Sequence, residues 1–443
     1  MLKILFHRLR RLQSGGLIST LIRGASAALT VQIASLGVGY LTQIWLARWL
    51  GAAEYGVLEY VTTISLMLAF VASLGLPTIV LRFMAAYRVQ QDWASLRGLI
   101  VSSWRQMIGA GILLALLGSG VAWWGLQGRT APALLWAIWT VPLVALIRIQ
   151  LETTRGMRLI GLAYAPSLIV LPLLLLGEVA LWRLFYPLSS AVVMALSLVA
   201  MLVVVLAQRW LFWRSLPVPV HQIRPVYAPL AERLRLSLPL MLIDGSFLVL
   251  NQTDTLMLAG LRDAKAVGIY SAAFKTAGWV GFILVAVNAI AAPLFAGLYA
   301  EAKQAELQRL VSTIARWMFY PALTVAVGLV LWAEPVLGLF GPEFGAARWA
   351  LAALCFGQLV NVGCGSVGYL LTMTGHQNQC AKVVGWSALL NLLLNLIGIP
   401  LLGILGAALA TAISMAVWNL WMNRLVIRYL GINPSIGAAL WTG

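Results

Sequence analysis

The sequence is poor in charge and in reactive side chains. Only 10% of its 443 residues are Asp, Glu, Lys or Arg, whereas 62% are hydrophobic. A soluble domain carries about 25% charged residues, so the composition excludes that class and predicts a polytopic membrane protein. The three cysteines and three histidines lack metal-ligand spacing, and no phosphate loop or nucleophile–base motif occurs. We therefore predict no metal, no cofactor and no catalytic residues.

The sequence is rich in long apolar segments. About twelve of them are long enough to cross a hydrocarbon core of about 30 Å, which predicts an all-α fold. They lie near residues 24–48, 56–80, 104–126, 132–151, 158–181, 187–209, 236–261, 267–298, 313–333, 346–373, 381–399 and 403–423.

The connection at residues 210–235 is basic and rich in proline, and it divides the segments into six plus six. We predict an N-lobe at 24–209, a C-lobe at 236–430 and a short tail at 431–443. Residues 1–23 place leucines at helical spacing among basic residues. This pattern predicts an amphipathic helix on the cytoplasmic membrane surface.

The formal net charge of +17 has a topological explanation. With a cytoplasmic N-terminus, 23 of the 30 Lys and Arg residues lie in predicted cytoplasmic segments. This asymmetry is the positive-inside pattern of membrane proteins. It predicts that both termini are cytoplasmic, and it removes the need for a nucleic-acid partner.

The two halves are related by a shift of 212 positions, which carries Ala52 onto Ala264 and Gly56 onto Gly268. Such a parallel repeat of six helices is typical of transporters with a substrate site between the repeats. We expect two six-helix lobes around a central cavity.

Polar residues follow one face of the predicted seventh helix. At 100° per residue, Asp244, Asn251 and Thr255 fall within about 40° of one another. The same shift carries Asp244 onto Gln32 and Thr255 onto Gln43. We therefore expect Gln32, Gln43, Asp244 and Asn251 to face the space between the lobes.

Several runs of sequence resemble the polysaccharide-exporter (Wzx-like flippase) family of the MOP superfamily. They are LARWLGAAEYGVLEY, RFMAAYRVQQDWASLRG, NQTDTLMLAG, AVGIYSAAFKTA and GILGAALATAIS. The resemblance implies a V-shaped pair of lobes that moves undecaprenyl-diphosphate-linked oligosaccharide to the periplasmic leaflet of a bacterial inner membrane by alternating access. The resemblance also implies two partners, which are this lipid-linked glycan and the membrane lipids. It allows other membrane proteins of polysaccharide assembly as further partners.

Charged residues inside predicted helices are functional candidates, because charge in the bilayer is costly. Lys275 lies about two turns into the eighth helix, either as a cavity cation or as a lysine that snorkels to the surface. Asp254, at similar depth on the seventh helix, is either its ion-pair partner or a coupling carboxylate. Asp244 has no obvious partner and is a second coupling candidate, or it lines an inward-open vestibule. Arg105 and Arg148 lie at cytoplasmic helix ends, as topology requires or to meet the diphosphate.

Two other functions compete with the flippase. A multidrug or small-cation antiporter of the same superfamily would have a cavity dominated by acidic residues. A membrane polysaccharide polymerase or glycosyltransferase would need a substantial periplasmic loop or a clustered acid/base site. The longest predicted periplasmic loop, around EPVLGLFGPEFGAA, has only about a dozen residues.

Overall fold

The computed structural model describes residues 16–125, 130–227 and 229–441, and within these ranges the chain is helical without a strand. The N-terminal half contains α1 (Gly16–Ser73), α2 (Leu76–Gln90), α3 (Trp93–Gly125), α4 (Ala131–Gly156), α5 (Ile160–Ala165), a π-helical turn (Pro166–Val170), α6 (Leu171–Trp182), α7 (Ser190–Arg214) and α8 (Val218–Gln222). The C-terminal half contains α9 (Leu230–Leu261), α10 (Ala264–Ala300), α11 (Gln304–Leu331), α12 (Ala333–Gly338), a 3-10 turn (Pro342–Ala347), α13 (Arg348–Cys364), α14 (Val367–Met373), α15 (Gln377–Leu402), α16 (Ile404–Leu430) and α17 (Ile436–Trp441).

Helix α1 is two helices joined at Gly51. The hydroxyl of Tyr55 donates a hydrogen bond of 2.9 Å to Oε1 of Gln43, although in a straight helix the two residues would lie about 18 Å apart along the axis. The chain therefore folds back between them, at Gly51, whose φ of 76° and ψ of 167° are not helical. We call the two parts α1a (16–50) and α1b (52–73).

Ten helices in the described ranges are long and apolar enough to cross a membrane when α1 counts once. The expected multi-pass, all-α fold is thus confirmed. The difference from about twelve predicted segments has two causes. The segments at 24–48 and 56–80 are α1a and α1b, and the seventh segment lies in α9, which is not among the ten.

The predicted segment boundaries need correction. The second segment ends at Ser73 rather than at residue 80, because Leu74 and Gly75 have positive φ and the chain turns into α2. Helix α3 begins at Trp93 rather than 104. Hydropathy marks only the part of a helix that matches the hydrocarbon, whereas the hydrogen-bonded helix continues beyond it. Residues 1–15 of the predicted amphipathic segment lie outside the described residues, and from Gly16 the chain is part of α1.

The buried apolar residues form three clusters. One lies within the N-lobe, between Ala69 and Val220 in sequence, and one lies within the C-lobe, between Leu250 and Ile432. The third combines residues of both lobes, from Ile44 to Ala408. The lobes thus share a core near Gly51, which we call the Gly51 end, and have separate cores towards the predicted cytoplasmic side, which we call the basic end.

The lobes meet at the Gly51 end through residues related by the 212-residue shift. A Cβ atom on Gly56 would lie 1.6 Å from the carbonyl oxygen of Ala264, and one on Gly268 would lie 2.1 Å from that of Ala52. The 212-residue shift carries Gly56 onto Gly268 and Ala52 onto Ala264. The two contacts are therefore equivalent, as in a two-fold symmetric interface. This contact supports the repeat register inferred from the sequence.

The connection between the lobes is shorter than predicted and is held against the N-lobe. Helix α7 continues to Arg214 and α9 begins at Leu230. Between them, Nη1 of Arg97 donates hydrogen bonds to the carbonyls of His221 (2.9 Å) and Ile223 (2.7 Å).

Candidate functional site

A cavity of about 320 Å³ lies between the two lobes. We call it the Lys275 cavity. Its polar lining comes from Gln43, Glu59, Thr62, Thr63, Ser65, Thr140 and Ser197 of the N-lobe and from Asn251, Gln252, Thr255, Ser271 and Lys275 of the C-lobe. Hydroxyl and amide groups of this kind can replace water around a polar solute.

The ammonium group of Lys275 crosses the interface between the lobes. Its Nζ lies 2.5 Å from Oε1 of Glu59 and 3.2 Å from the hydroxyl of Tyr55, both on α1b. Tyr55 is fully buried, and its own hydroxyl donates to Gln43. Lys275 is therefore fixed in the cavity wall by N-lobe side chains and does not snorkel away.

The predicted ion pair between Lys275 and Asp254 is wrong. Equal depth on adjacent helices is not sufficient, because the side chains must also point towards each other. On α10 the partner of Asp254 is Tyr270, and five residues rotate the helix by about 140°. Lys275 therefore faces the cavity, while Tyr270 faces the interior of the C-lobe.

Asp254 lies in a polar cluster inside the C-lobe and is only 1% exposed. Its carboxylate accepts short hydrogen bonds from the hydroxyls of Tyr270 and Thr411 and a 2.6 Å hydrogen bond from Nδ2 of Asn395. These residues come from α10, α16 and α15, so four helices converge on one carboxylate. No Lys or Arg of the described residues forms an ion pair with it.

The cluster also contains polar atoms without partners. Among the described residues, Nδ2 of Asn391 and Oδ1 of Asn395 are buried without a hydrogen-bond partner. Buried polar atoms are normally paired, so these two amide groups are exceptions within the cluster. Although Asp254 is near the centre of the C-lobe, it lines neither of the two cavities between the lobes.

A second cavity between the lobes, of about 500 Å³, lies nearer the basic end. We call it the Arg148 cavity. Asp244 lines it and accepts a 3.1 Å hydrogen bond from Thr78, which gives this carboxylate the partner that the sequence did not show. Glu152 also lines the cavity and is paired with Arg155 at 2.8 Å.

Arg148 differs from these carboxylates. Its guanidinium lies over the ring of Phe70, with 5.3 Å between Cζ and the ring centroid, and it forms no hydrogen bond or ion pair within the described chain. The fixed fork of its N–H groups is thus available to a bidentate acceptor.

The two cavities share Asn251. The first holds one cation in contact with one acid, and the second holds Arg148 with two acids. Each cavity therefore offers both signs of charge: the charges of the first are balanced, and the second has one acid more than it has cations. A solute between the lobes would meet Arg148 and Lys275 in turn, with Asn251 between them.

Five of the predicted site residues line these cavities: Gln43, Asn251 and Lys275 the first, and Asp244, Asn251 and Arg148 the second. Gln32 lines neither of them. Arg105 is exposed and lines neither, because α3, on which it lies, contributes no residue to either wall.

Sequence reasoning missed Glu59, Glu152 and Glu178 as site or intramembrane acids. Glu59 and Glu178 fall inside predicted apolar segments, so the rule that led to Lys275 would also have found them. One carboxylate oxygen of Glu178, Oε2, is buried without a partner.

Two helical lobes with polar cavities between them are the architecture typical of multi-pass membrane transporters. A family model described as "Polysaccharide biosynthesis protein" matches residues 21–298, and one described as "MatE" matches residues 239–397. Because the first match covers more than half of the chain, the protein belongs to the polysaccharide biosynthesis protein family. The resemblance to the MOP superfamily is thereby confirmed.

Individual relatives agree with this assignment. The probable low-salt glycan biosynthesis flippase Agl15 of Haloferax volcanii is 28% identical over 156 residues, which are 34% of this chain and 32% of that protein. The chain thus aligns with about one third of the length of this relative. An inward-facing multidrug resistance MATE transporter of the MOP superfamily matches with a TM-score of 0.71 at 15% identity, over 92% of this chain and 99% of the other. The lipid II flippase MurJ matches with a TM-score of 0.68 at 14% identity, over 90% and 87%. Both structures share the fold of this chain.

Proposed function

We propose that the protein is a flippase that moves undecaprenyl-diphosphate-linked oligosaccharide from the cytoplasmic to the periplasmic leaflet by alternating access. The observation that carries this proposal is the pair of cavities between the lobes, which share Asn251 and each present one cation, Arg148 or Lys275. The family assignment supports it, as does the similarity to the probable glycan biosynthesis flippase Agl15 and to the lipid II flippase MurJ.

The physical task explains why both cations lie between the lobes. An isolated charge in hydrocarbon costs tens of kcal/mol by Born estimates, so a diphosphate needs a polar path while its lipid tail stays in the bilayer. Arg148 provides a planar fork for a phosphate at the basic end. Further in, Lys275 and the surrounding hydroxyl and amide groups bind the next phosphate or the sugar.

We further propose that Asp254 couples transport to a gradient. Its carboxylate is held by three donors without a cation, so a proton or a small cation would change the local charge and the packing of α9 against α15 and α16. Asp244, the second coupling candidate, lies in the open Arg148 cavity, where a substrate-contacting role fits better.

We also propose that the protein resides in a bacterial inner membrane with both termini in the cytoplasm. Cysteine-accessibility labelling tests this topology. A cysteine at position 265 should react from outside, and a cysteine at position 224 should be protected. The reverse result would invert the orientation and the direction of transport.

A multidrug or small-cation antiporter remains the second candidate, because the MatE family model also matches the chain and Glu59, Glu152 and Asp244 line the cavities. In this case acidic groups would bind a cationic solute. Arg148 would be unfavourable at the entrance, which is why the flippase fits the geometry better.

The deciding experiment reconstitutes the purified protein in proteoliposomes with a fluorescent undecaprenyl-diphosphate oligosaccharide and measures its appearance in the opposite leaflet. A parallel assay measures the extrusion of ethidium, a cationic drug. We expect glycan movement that Arg148→Gln reduces at least tenfold, and no ethidium movement. Arg82→Gln removes an exposed arginine of α2 that lines neither cavity, and it serves as the matched control. Ethidium extrusion without glycan movement would establish the antiporter instead.

A further inference from the structure

The outer surface of the N-lobe carries a guanidinium group that neither cavity explains. Arg209 of α7 lies against two indole rings, with its Cζ 4.2 Å from the ring centroid of Trp104 and 5.8 Å from that of Trp213. Trp104 is only 7% exposed. The arginine is therefore held in one orientation by packing, since cation–π contacts favour this arrangement.

Arg209 has no hydrogen-bond acceptor among the described residues. Three other half-buried or buried arginines of the basic end donate to protein oxygens: Arg97 to two carbonyls, Arg155 to Glu152, and Arg233 to the hydroxyl of Ser102. Arg209 is also half-buried, yet it makes no hydrogen bond or ion pair within the described part of the chain. A partly desolvated charge without a partner is costly, so an acceptor from outside the chain is expected.

Two exposed arginines accompany it. Arg214 lies 5 residues further along α7, about 7.5 Å along the axis, and stacks on Trp210 at 3.9 Å. Arg105 follows Trp104 directly in α3 and is exposed. No carboxylate pairs with either arginine in the described ranges, so the group has a local charge of one sign. Neither cavity is lined by any of the three.

The same two helices present apolar side chains just beyond this basic group. Ile112 and Leu116 of α3 and Leu202 and Leu206 of α7 are all exposed, between 40% and 56%. They belong to helices that are apolar enough to cross a membrane. The surface therefore places cations at the level of lipid headgroups and apolar side chains at the level of acyl chains.

We infer that Arg105, Arg209 and Arg214 form a binding site for the headgroup phosphate of an anionic phospholipid, on the outside of the N-lobe at its basic end. The guanidinium of Arg209 donates two parallel hydrogen bonds to the phosphate. The other two arginines attract a negatively charged headgroup. The apolar side chains select a lipid over a free phosphate ion. The site does not depend on the transported substrate.

Native mass spectrometry of the purified protein tests the site by titration with phosphatidylglycerol and, in parallel, phosphatidylcholine of the same acyl chains. The wild type should retain phosphatidylglycerol preferentially. Arg209→Gln should weaken that binding about tenfold, since a hydrogen bond to a charged group is worth about that factor. Arg428→Gln removes a cation from the C-lobe as the matched control and should weaken the binding less than about twofold.

Two further variants keep the test decisive. If Arg209→Gln alters the elution profile, the double variant Arg105→Gln/Arg214→Gln changes only exposed side chains and should also weaken phosphatidylglycerol binding. Arg209→Lys keeps the charge but removes the fork, so its affinity should fall between those of the wild type and Arg209→Gln.

Equal binding of the two lipids by the wild type would overturn the proposal. So would phosphatidylglycerol binding that is insensitive to both the Arg209→Gln and the double substitution. Inorganic phosphate titrated in detergent distinguishes the source of the acceptor: Arg209-dependent binding of phosphate as tight as that of the lipid would reject the lipid assignment.

Discussion

The two lobes use equivalent positions for different purposes. The 212-residue shift relates Asp254 and Tyr270 of the C-lobe to Thr42 and Leu58 of the N-lobe. All four side chains are nearly inaccessible, with at most 5% exposed. In the C-lobe the pair holds a carboxylate in a hydrogen-bonded cluster, whereas in the N-lobe the hydroxyl of Thr42 only donates to Val38 in its own helix. The backbone plan is repeated, and the buried charge is not.

The cavity between the lobes shows the same divergence. Lys275 and Glu59 form an ion pair across it, and their counterparts under the shift are Thr63 and Ser271. All four residues line the Lys275 cavity. Each lobe thus contributes one charged group and one hydroxyl group, so the two-fold relation that shapes the cavity does not hold for its charges. A polar substrate with two distinct ends can be oriented by such a surface.

The largest effect should come from breaking the close contact between the two lobes at Gly56. Gly56→Ala places a Cβ atom 1.6 Å from the carbonyl oxygen of Ala264, and a backbone atom cannot move aside locally. We expect a loss of about 1–3 kcal/mol or more in stability, seen as reduced membrane abundance and aggregation in size-exclusion chromatography. Gly278→Ala is the control, because nothing lies within 4 Å of its Cβ position. Equal abundance of the two variants would contradict the close contact.

Asp254 and Thr42 should differ next most strongly. Asp254→Leu leaves the buried donors of Tyr270, Thr411 and Asn395 without their acceptor, at about 1–3 kcal/mol for each, so folded protein should be scarce. Thr42→Val removes one local hydrogen bond and should change the melting temperature little. Asp254→Asn keeps the shape of the side chain. We expect that variant to accumulate but to lose the response of transport to proton and cation gradients, and a preserved response would exclude Asp254 from coupling.

A double-mutant cycle sharpens the comparison at the cavity. Glu59→Gln and Lys275→Met each leave a charged partner behind, so the double variant should be more stable than the sum of the two single effects, with a coupling of about 0.5–3 kcal/mol in thermal unfolding. The cycle of Asp254→Asn with Lys275→Met is the reference. Its effects should add within about 0.5 kcal/mol, because the two residues do not touch. Strong coupling in the reference cycle would show that Lys275 and Asp254 do interact, against the structure.

The smallest effect concerns the third helix of each lobe. Asp92 precedes α3, and its Oδ1 accepts a 3.0 Å hydrogen bond from the backbone N–H of Ser95, whereas Lys303 at the start of α11 provides no such cap. Asp92→Ala should cost about 1 kcal/mol, while Lys303→Ala should be nearly neutral in thermal unfolding.

The same cap predicts a pH dependence. Hydrogen bonds from Ser95 lower the pKa of Asp92 below its usual value. The cap is therefore fully present above the unfolded-state pKa and is lost as the pH falls through the lower folded-state pKa. The melting temperatures of the wild type and Asp92→Ala should converge in acid. A constant difference down to that pH would show that the carboxylate charge does not act at the helix end.

Much of the architecture follows from the sequence alone. Apolar length predicts the membrane helices because hydrocarbon requires it, and the shift that relates Gly56 to Gly268 predicts a repeated plan of six helices. The close contact of these positions was shown only by the structure. The polar face of α9 also indicates Asn251 and Asp244 as cavity residues, since helical periodicity fixes which side chains share a face. These features are local, or repeat with a fixed period, and one-dimensional information is sufficient for them.

Pairing across helices was decided only by the tertiary structure. Lys275 and Asp254 have suitable charge and depth, but the rotation of α10 directs the lysine to Glu59 and leaves the carboxylate to Tyr270, Thr411 and Asn395. Likewise, depth alone does not show that Arg148 faces a cavity while Arg105 faces outwards. Side-chain direction depends on how each helix is rotated against its neighbours. That rotation is set by packing among residues far apart in the chain, which no single helix encodes.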